Sequence, residues 1–205
     1  MAGLGDYVKA GVEQWKKALV PFIIGFVIVI VLNAVPSLIF WILAPIGSLV
    51  ASVYFVGLIL MAIKVRKGEA AEIGDSFSVT EMLVPATITL APVPVLNLLA
   101  LIFGRFVSVG LMSLVNLVAV IVTIVLAWAP FVLATKKCTF MEAWMGSLDF
   151  WKKAPVENLI TLIVGGILCI PALLGLCVLT TYYMDKAGIM AFTPPASAPA
   201  APATK

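Results

Sequence analysis

The chain has 205 residues, of which 63% are hydrophobic and only 11% are charged, and its mean hydropathy is +1.18. A soluble domain carries roughly 25% charged residues, and a chain of this size cannot enclose so much apolar surface inside a water-exposed fold. The composition therefore excludes a secreted module and a cytosolic enzyme. The net charge of +3 is too small for a nucleic-acid-binding domain.

Residues 1–17 are predicted to form an amphipathic helix that lies along the headgroups at the membrane surface. Apolar side chains recur there with the i, i+3, i+4, i+7 spacing of one helix face. The segment ends in an aromatic and basic edge, which is typical of interfacial helices. The apolar stripe consists of Leu4, Tyr7, Val8, Gly11, Val12 and Trp15. The candidate interface residues of this helix are Trp15, Lys16 and Lys17.

Five hydrophobic runs follow, of roughly the 20 residues that a helix needs to cross the hydrocarbon core of a bilayer. They cover residues 18–43, 48–63, 82–103, 107–134 and 157–184. Short connections predict a first transmembrane hairpin over 18–63 and a second over 82–134, with a cytoplasmic loop over 64–81 between them. The expected fold class is all-α, a polytopic transmembrane helix bundle of about five spans, with six as the alternative.

The last hydrophobic region, residues 155–185, allows two interpretations. It could be one tilted span kinked at Pro171, or it could fold back there as two half-spans. Each half would be only about 20 Å long at 1.5 Å per residue, too short to cross, so the single kinked span is preferred. Five spans place the Pro/Ala-rich tail of residues 186–205 outside, whereas a sixth returns it to the inside.

A second amphipathic helix is predicted over residues 135–154 on the cytoplasmic face. It opens with Thr139, followed three residues later by Glu142, a capping-box pattern that marks a helix N-terminus. Its candidate interface residues are Trp144, Trp151, Lys152 and Lys153. Both amphipathic helices could recruit a partner or anionic lipid, or could only fix the depth of the neighbouring spans.

The basic residues predict the orientation, because they collect on the cytoplasmic side of membrane proteins. They form three groups, at residues 9–17, 64–67 and 136–153. Two tight hairpins place all three groups on one face of the membrane, and Arg105 alone marks the opposite face. The N-terminus is therefore predicted to be cytoplasmic.

The sequence offers little chemistry inside the membrane. There is no histidine, and the three cysteines lack the C-x-x-C spacing of zinc or redox sites. The candidate polar residues within the spans are Asn33, Asn97 and Asn116, which could bridge helices or line a polar path. We therefore expect no enzymatic activity, no catalytic residues, no metal and no cofactor.

A series of short motifs resembles one family. Arg66-Lys67-Gly68-Glu69 is followed by Asp75-Ser76-Phe77, and later come Ala129-Pro130-Phe131, Lys136-Lys137, Glu142-Ala143 and Ser147. In this order the motifs resemble the small polytopic bacterial membrane proteins of unknown function that include the membrane domain attached to some glycerophosphodiester phosphodiesterases. The resemblance covers roughly residues 1–185. It implies a helical membrane protein and implies no reaction.

Together these features predict an integral membrane protein with a structural or accessory role in the bacterial inner membrane. Its expected partners are the lipid bilayer and other membrane-protein subunits or further copies of itself, with no nucleic acid. The alternative is a small transporter or channel that uses the third span, because broken helices line substrate sites in transporters. That span is interrupted by Pro85, Pro92 and Pro94.

Overall fold

The computed structural model describes residues 3–39, 43–169 and 173–192. Within these ranges the chain forms helices and no strand, so the predicted all-helical class is confirmed. The α-helices are α1 (Leu4–Lys17), α2 (Leu19–Ile39), α3 (Ala44–Arg66), α4 (Leu83–Leu90), α5 (Pro92–Phe106), α6 (Val109–Val125), α7 (Ala129–Lys136), α8 (Phe140–Lys153), α9 (Pro155–Leu168) and α10 (Leu174–Lys186). A 3₁₀ helix, Ile73–Met82, lies between α3 and α4. Most of the predicted tail, residues 193–205, lies outside the described ranges.

Three helical stretches are long and apolar enough to cross a membrane: Leu19–Pro36, Ala44–Arg66 and Val109–Lys136. A further stretch consists of two pieces, Ile73–Leu90 and Pro92–Phe106, bent by 46° at the break. The bend falls at a proline because proline has no N–H to continue the helical hydrogen bonds. The described residues thus supply three candidate spans, or four with the bent pair, and the expected count of about five is not confirmed.

The outer surfaces of α2, α5 and α6 carry many large apolar side chains. Leu38 of α2 is 82% exposed, and Leu117 of α6 is 57% exposed, among many other large apolar side chains. Monomeric proteins in water rarely expose contiguous apolar surface on this scale. The exposed faces of these helices therefore suit a lipid environment.

The first hairpin is formed by α2 and α3, which pack closely. A Cβ atom on Gly47 would lie only 2.7 Å from the carbonyl oxygen of Leu32, and small residues permit such close approach of membrane helices. The connection expected between the first two spans, at residues 44–47, is instead the first turn of α3. Pro45 fits there because a proline in the first turn sacrifices no intrahelical hydrogen bond.

Residues 64–81, expected as a loop, contain most of the 3₁₀ helix, which lies along α3. The hydroxyl oxygens of Tyr54 and Ser76 are 2.9 Å apart. A Cβ atom on Gly57 would overlap the carbonyl group of Ser76. The missing side chain at Gly57 is therefore what lets this segment pack directly against α3 instead of extending into solvent.

The described parts of residues 155–185 are two helices that form a hairpin, in place of the preferred single kinked span. The helices α9 and α10 run side by side in opposite directions. The Tyr182 hydroxyl donates to Asn158 Oδ1 (2.7 Å), and Lys186 Nζ lies 2.9 Å from Glu157 Oε1. These contacts join the start of α9 to the end of α10, which a continuous helix could not do.

The hairpin is possible because α10 is enclosed by protein. Each of its helices is about 20 Å long at 1.5 Å per residue, too short to cross alone, but residues 175–184 of α10 are all buried. Gly165 in α9 gives α10 room, since a Cβ atom there would lie 2.5 Å from Leu179. The expected kink, Pro171, lies outside the described residues. The segment 187–192 consequently returns to the end of the bundle where α9 begins.

An aromatic cluster surrounds the last turns of α10. Trp128, between α6 and α7, is fully buried, with its ring centroid 5.8 Å from that of Tyr182. The ring of Phe150 in α8 lies 4.9 Å from those of both Trp128 and Tyr183. The cluster therefore ties α7, α8 and α10 into one core.

The amphipathic helix predicted over residues 1–17 is present as α1, but its buried face packs on α10. A Cβ atom on Gly11 would lie 2.5 Å from Val178 Cγ2. The buried stripe of α1 consists of Tyr7, Ala10, Gly11 and Gln14. The face is thus rotated slightly from the predicted one and includes a polar side chain, because its neighbour is α10 of the same chain.

Candidate functional site at the basic end of the bundle

Basic side chains meet where α3 and α7 end, a region that we refer to as the basic end. Lys64, Arg66 and Lys67 close α3, and Lys136 and Lys137 close α7. Positive charge suits these positions because the C-terminus of a helix carries partial negative charge. Two of the three basic groups identified in the sequence are therefore neighbours in the fold.

The basic end contains a cavity of about 470 Å³, the basic cavity, between α3, α7 and the segment that follows α10. Its four lysines are Lys64, Lys67, Lys136 and Lys137. Two carboxylates, Glu69 and Asp75, also line it, so four positive and two negative charges leave a net charge of +2. Apolar side chains form much of the remaining wall, among them Leu60, Ile63 and Met184.

Two of these lysines are paired with carboxylates. Lys64 Nζ lies 2.6 Å from Asp75 Oδ1, and Lys137 Nζ lies 3.2 Å from Glu81 Oε2. The second pair is 65% and 75% exposed, and ion pairs so open to solvent contribute only about 0–1 kcal/mol. Lys67 and Lys136 form no ion pair within the described part of the chain. Their positive charge is available to an anion.

Lys137 ends α7 in the left-handed conformation, with φ 49° and ψ 45°. Glycine is usual at such a position, because a side chain there costs roughly 1–2 kcal/mol. The sharp turn brings Lys136 and Lys137 to the wall of the basic cavity. A lysine is therefore held in a conformation that its own backbone disfavours, at the edge of a charged cavity.

Tyr7 fastens α1 to the basic end. Its hydroxyl donates to Asp185 Oδ2, and Asp185 Oδ1 accepts from the backbone N–H of Phe192 (2.9 Å). Burial, and then the adjacent Asp185 carboxylate, raise the pKa of Tyr7 above its usual range. The Arg66 guanidinium lies 5.9 Å from the centroid of the Phe192 ring. These contacts hold α1, α3 and the segment after α10 together.

A second polar network lies inside the bundle. The side chain of Asn158 is buried, accepts from Tyr182 and donates through Nδ2 to the carbonyl oxygen of Phe150 (2.8 Å). The Thr181 hydroxyl lies 3.1 Å from Gln14 Oε1. Buried polar groups require such partners where water is absent. The network therefore has a structural explanation, linking α1, α8 and α9 to α10.

Three side chains of α8, those of Trp144, Ser147 and Trp151, donate hydrogen bonds to the backbone where two of the long helical stretches are interrupted. We refer to these three side chains as the α8 clamp. Trp144 Nε1 donates to the carbonyl oxygen of Thr89 (3.1 Å), beside the break between α4 and α5. Where α6 ends, Ser147 Oγ donates to the carbonyl oxygen of Val125 (2.7 Å). Trp151 Nε1 donates to the carbonyl oxygen of Ile124 (3.1 Å). Carbonyl groups at helix breaks require partners in lipid, so the clamp stabilises both breaks.

The three candidate asparagines lie on different helices. Asn33 is in α2, where its Nδ2 donates to the carbonyl oxygen of Val29 (3.0 Å). Asn97 is in α5 and Asn116 in α6, and within the described residues no hydrogen bond joins these two. The more deeply buried amide is Asn158, which is 1% exposed. Its place at the start of an apolar run is the sequence signal that could have identified it.

The candidate interface residues fall into two classes. The four lysines are exposed at the ends of α1 and α8, as expected: Lys16, Lys17, Lys152 and Lys153. Trp15 packs against the core. Trp144 and Trp151 belong to the α8 clamp, so their hydrogen bonds serve the protein's own spans.

In residues 3–39, 43–169 and 173–192, no group of three or more His, Cys, Asp or Glu side chains could hold a metal ion. Cys138, beside the basic end, is a free thiol whose pKa is raised by burial, and a thiol in that state is a poor nucleophile. The arrangement suits binding of an anion by lysines.

We compared the chain with family models, curated proteins and solved structures. None of the three comparisons gives a match.

Proposed function

We propose that this chain is a non-catalytic accessory protein of the bacterial inner membrane, with its N-terminus and its basic end on the cytoplasmic side. The positive-inside tendency supports the orientation, because the lysines that close α3 and α7 share one cavity. The resemblance of its motifs to small polytopic bacterial membrane proteins supports the location. The described helices with large exposed apolar faces, such as α2 and α6, provide the lipid-facing surface.

The observation that carries the accessory role is the α8 clamp. Trp144 and Ser147 donate hydrogen bonds to backbone carbonyl groups at the breaks of two spans. These carbonyl groups therefore have partners inside the protein, and the breaks contribute to its packing. The same helix leaves Lys152 and Lys153 exposed, as α1 leaves Lys16 and Lys17. These four exposed lysines, at the ends of two helices, can contact acidic groups on a neighbouring subunit.

Transport through the broken third span has weaker support. The carbonyl oxygen of Thr89, beside the break, already accepts from Trp144. Asn97 and Asn116, the polar residues expected to line a path, are not joined by a hydrogen bond within the described residues. A transporter would require solute flux in liposomes that disappears in Asn97→Leu.

Extraction of the protein into native-membrane nanodiscs, followed by measurement of particle mass, tests the accessory role. We expect the 21.8 kDa chain to occur in larger assemblies. The variant that replaces Lys16, Lys17, Lys152 and Lys153 by alanine should shift to the mass of a single chain. The matched control, Glu13→Gln with Asp149→Asn, removes exposed acids from the same helices and should leave the assemblies intact. A wild-type protein present only as single chains contradicts the proposal.

A further inference from the structure

The basic cavity contains more lysines than are needed to offset the partial negative charges at the C-termini of α3 and α7. One cation at each C-terminus is enough to offset the partial charge of a helix. Here α3 and α7 each contribute two lysines to the wall of a single cavity. Like charges gathered around one volume repel one another and attract an anion into it.

The carboxylates of the cavity leave this attraction in place. Asp75 is occupied, since one oxygen lies 2.6 Å from Lys64 Nζ and the other accepts from the backbone N–H of Glu72 (2.9 Å). Glu81, the partner of Lys137, does not line the cavity, and that pair is open to solvent. Glu69 is then the remaining carboxylate of the wall, which also contains Lys67, Lys136 and Lys137.

We propose that the basic cavity binds the phosphate group of an anionic phospholipid from the leaflet at the basic end. Lysine is a common phosphate ligand, acting as a point charge, and basic pockets between membrane helices bind anionic headgroups. The volume of about 470 Å³ falls in the range of small-molecule sites, roughly 300–1,000 Å³. This ligand goes beyond the proposed accessory function and does not depend on it.

The shape and chemistry of the wall select a lipid over free phosphate. Leu60 and Ile189 line the cavity beside the lysines, and Ile189 is 44% exposed. Inorganic phosphate has no group to place against these side chains. A phospholipid places its glycerol and first methylene groups there, burying apolar surface while the phosphate meets the lysines.

The test measures binding of phosphatidylglycerol, with phosphatidylcholine as the neutral comparison, to the full chain by native mass spectrometry. We expect Lys67→Ala combined with Lys136→Ala to lower the affinity for phosphatidylglycerol about thirtyfold, roughly fivefold for each lysine. Lys9→Ala combined with Arg105→Ala removes the same charge from exposed positions outside the cavity. This control should change the affinity less than about twofold, because such charges are screened by salt.

Lys137→Gly separates binding from folding. Glycine adopts the left-handed conformation of this position without strain, so the thermal midpoint should stay the same or rise. The affinity for phosphatidylglycerol should nevertheless fall about fivefold.

Three results would overturn the proposal. The first is equal binding of phosphatidylglycerol and phosphatidylcholine. The second is wild-type affinity in Lys137→Gly or in the folded double variant. The third is displacement of phosphatidylglycerol by an equal concentration of inorganic phosphate, which would assign the site to free phosphate.

Discussion

Ser147 shows how much a single hydroxyl can matter in an apolar chain. It is fully buried, and its Oγ donates to the carbonyl oxygen of Val125 where α6 ends. In Ser147→Ala that carbonyl loses its side-chain partner, and a buried group left unsatisfied costs about 1–3 kcal/mol. We expect a lower midpoint of thermal unfolding in mild detergent.

Ser113 provides the control for this prediction. Its Oγ donates to the carbonyl oxygen of Val109, one turn earlier in the same exposed helix. Ser113→Ala should change stability by no more than about 0.5 kcal/mol, as surface substitutions usually do. Equal midpoints for Ser113→Ala and Ser147→Ala would argue against the α8 clamp.

The sequence alone could predict some residues and not others. The Thr139–Glu142 capping box and the exposed lysines of α1 and α8 follow from local pattern, and the structure confirms them. The roles of Trp144 and Asn158 depend on carbonyl groups and helices far away in the chain. A tryptophan near basic residues fits a membrane interface equally well, so its bond to Thr89 could not be anticipated.

At the scale of the element, the start of α8 predicts a dependence on pH. The backbone N–H and hydroxyl of Thr139 both donate to Glu142 Oε2 at 2.9 Å and lower the pKa of Glu142. A carboxyl whose pKa is lower in the folded than in the unfolded state stabilises the fold above its unfolded pKa. That stabilisation is lost as the pH falls through its folded pKa.

Thermal unfolding of Glu142→Gln over a range of acidic pH tests this expectation. The wild-type midpoint should fall with decreasing pH more than that of Glu142→Gln, which cannot titrate. Glu81→Gln is a suitable control, because Glu81 is exposed and makes no capping bond. Parallel profiles for wild type and Glu142→Gln would show that the cap does not contribute.

The α9–α10 hairpin offers a matched pair of neighbouring glycines. A Cβ atom on Gly165 would lie 2.5 Å from Leu179, whereas one on Gly166 would meet nothing within 4 Å. Gly165→Leu should therefore force α9 and α10 apart and destabilise the protein by about 1–3 kcal/mol. Gly166→Leu should be neutral or stabilising, because leucine favours helix more than glycine does. Similar midpoints for the two variants would contradict the hairpin.

Length and hydropathy favour the single kinked span over the hairpin, because they do not reveal what covers a helix. Residues 174–186 are too few to cross a bilayer, which favoured joining them to α9 as one span. The structure shows that α10 need not cross, since residues 175–184 are surrounded by protein. Gly165 is the local sign of that packing, but it becomes meaningful only when Leu179 is known to face it.

For the whole molecule, composition and charge predict the helical class and the meeting of the basic groups better than they predict the number of spans. High hydropathy correctly indicates helices with lipid-compatible surfaces, and the basic groups at 64–67 and 136–137 do meet at one end. Hydropathy treats lipid and protein interior alike, so it counts the enclosed α10 as part of a span. The expected five spans are therefore not recovered among the described residues.

The central claim is that the basic cavity and the segment after α10 lie on the same side of the membrane. Single cysteines at Lys17, Lys67, Arg105 and Ile189, in a chain whose three native cysteines are replaced by alanine, can be labelled with a membrane-impermeant maleimide. We expect positions 17, 67 and 189 to react together in inverted vesicles and position 105 to react in spheroplasts. Labelling of position 189 together with position 105 would contradict the account.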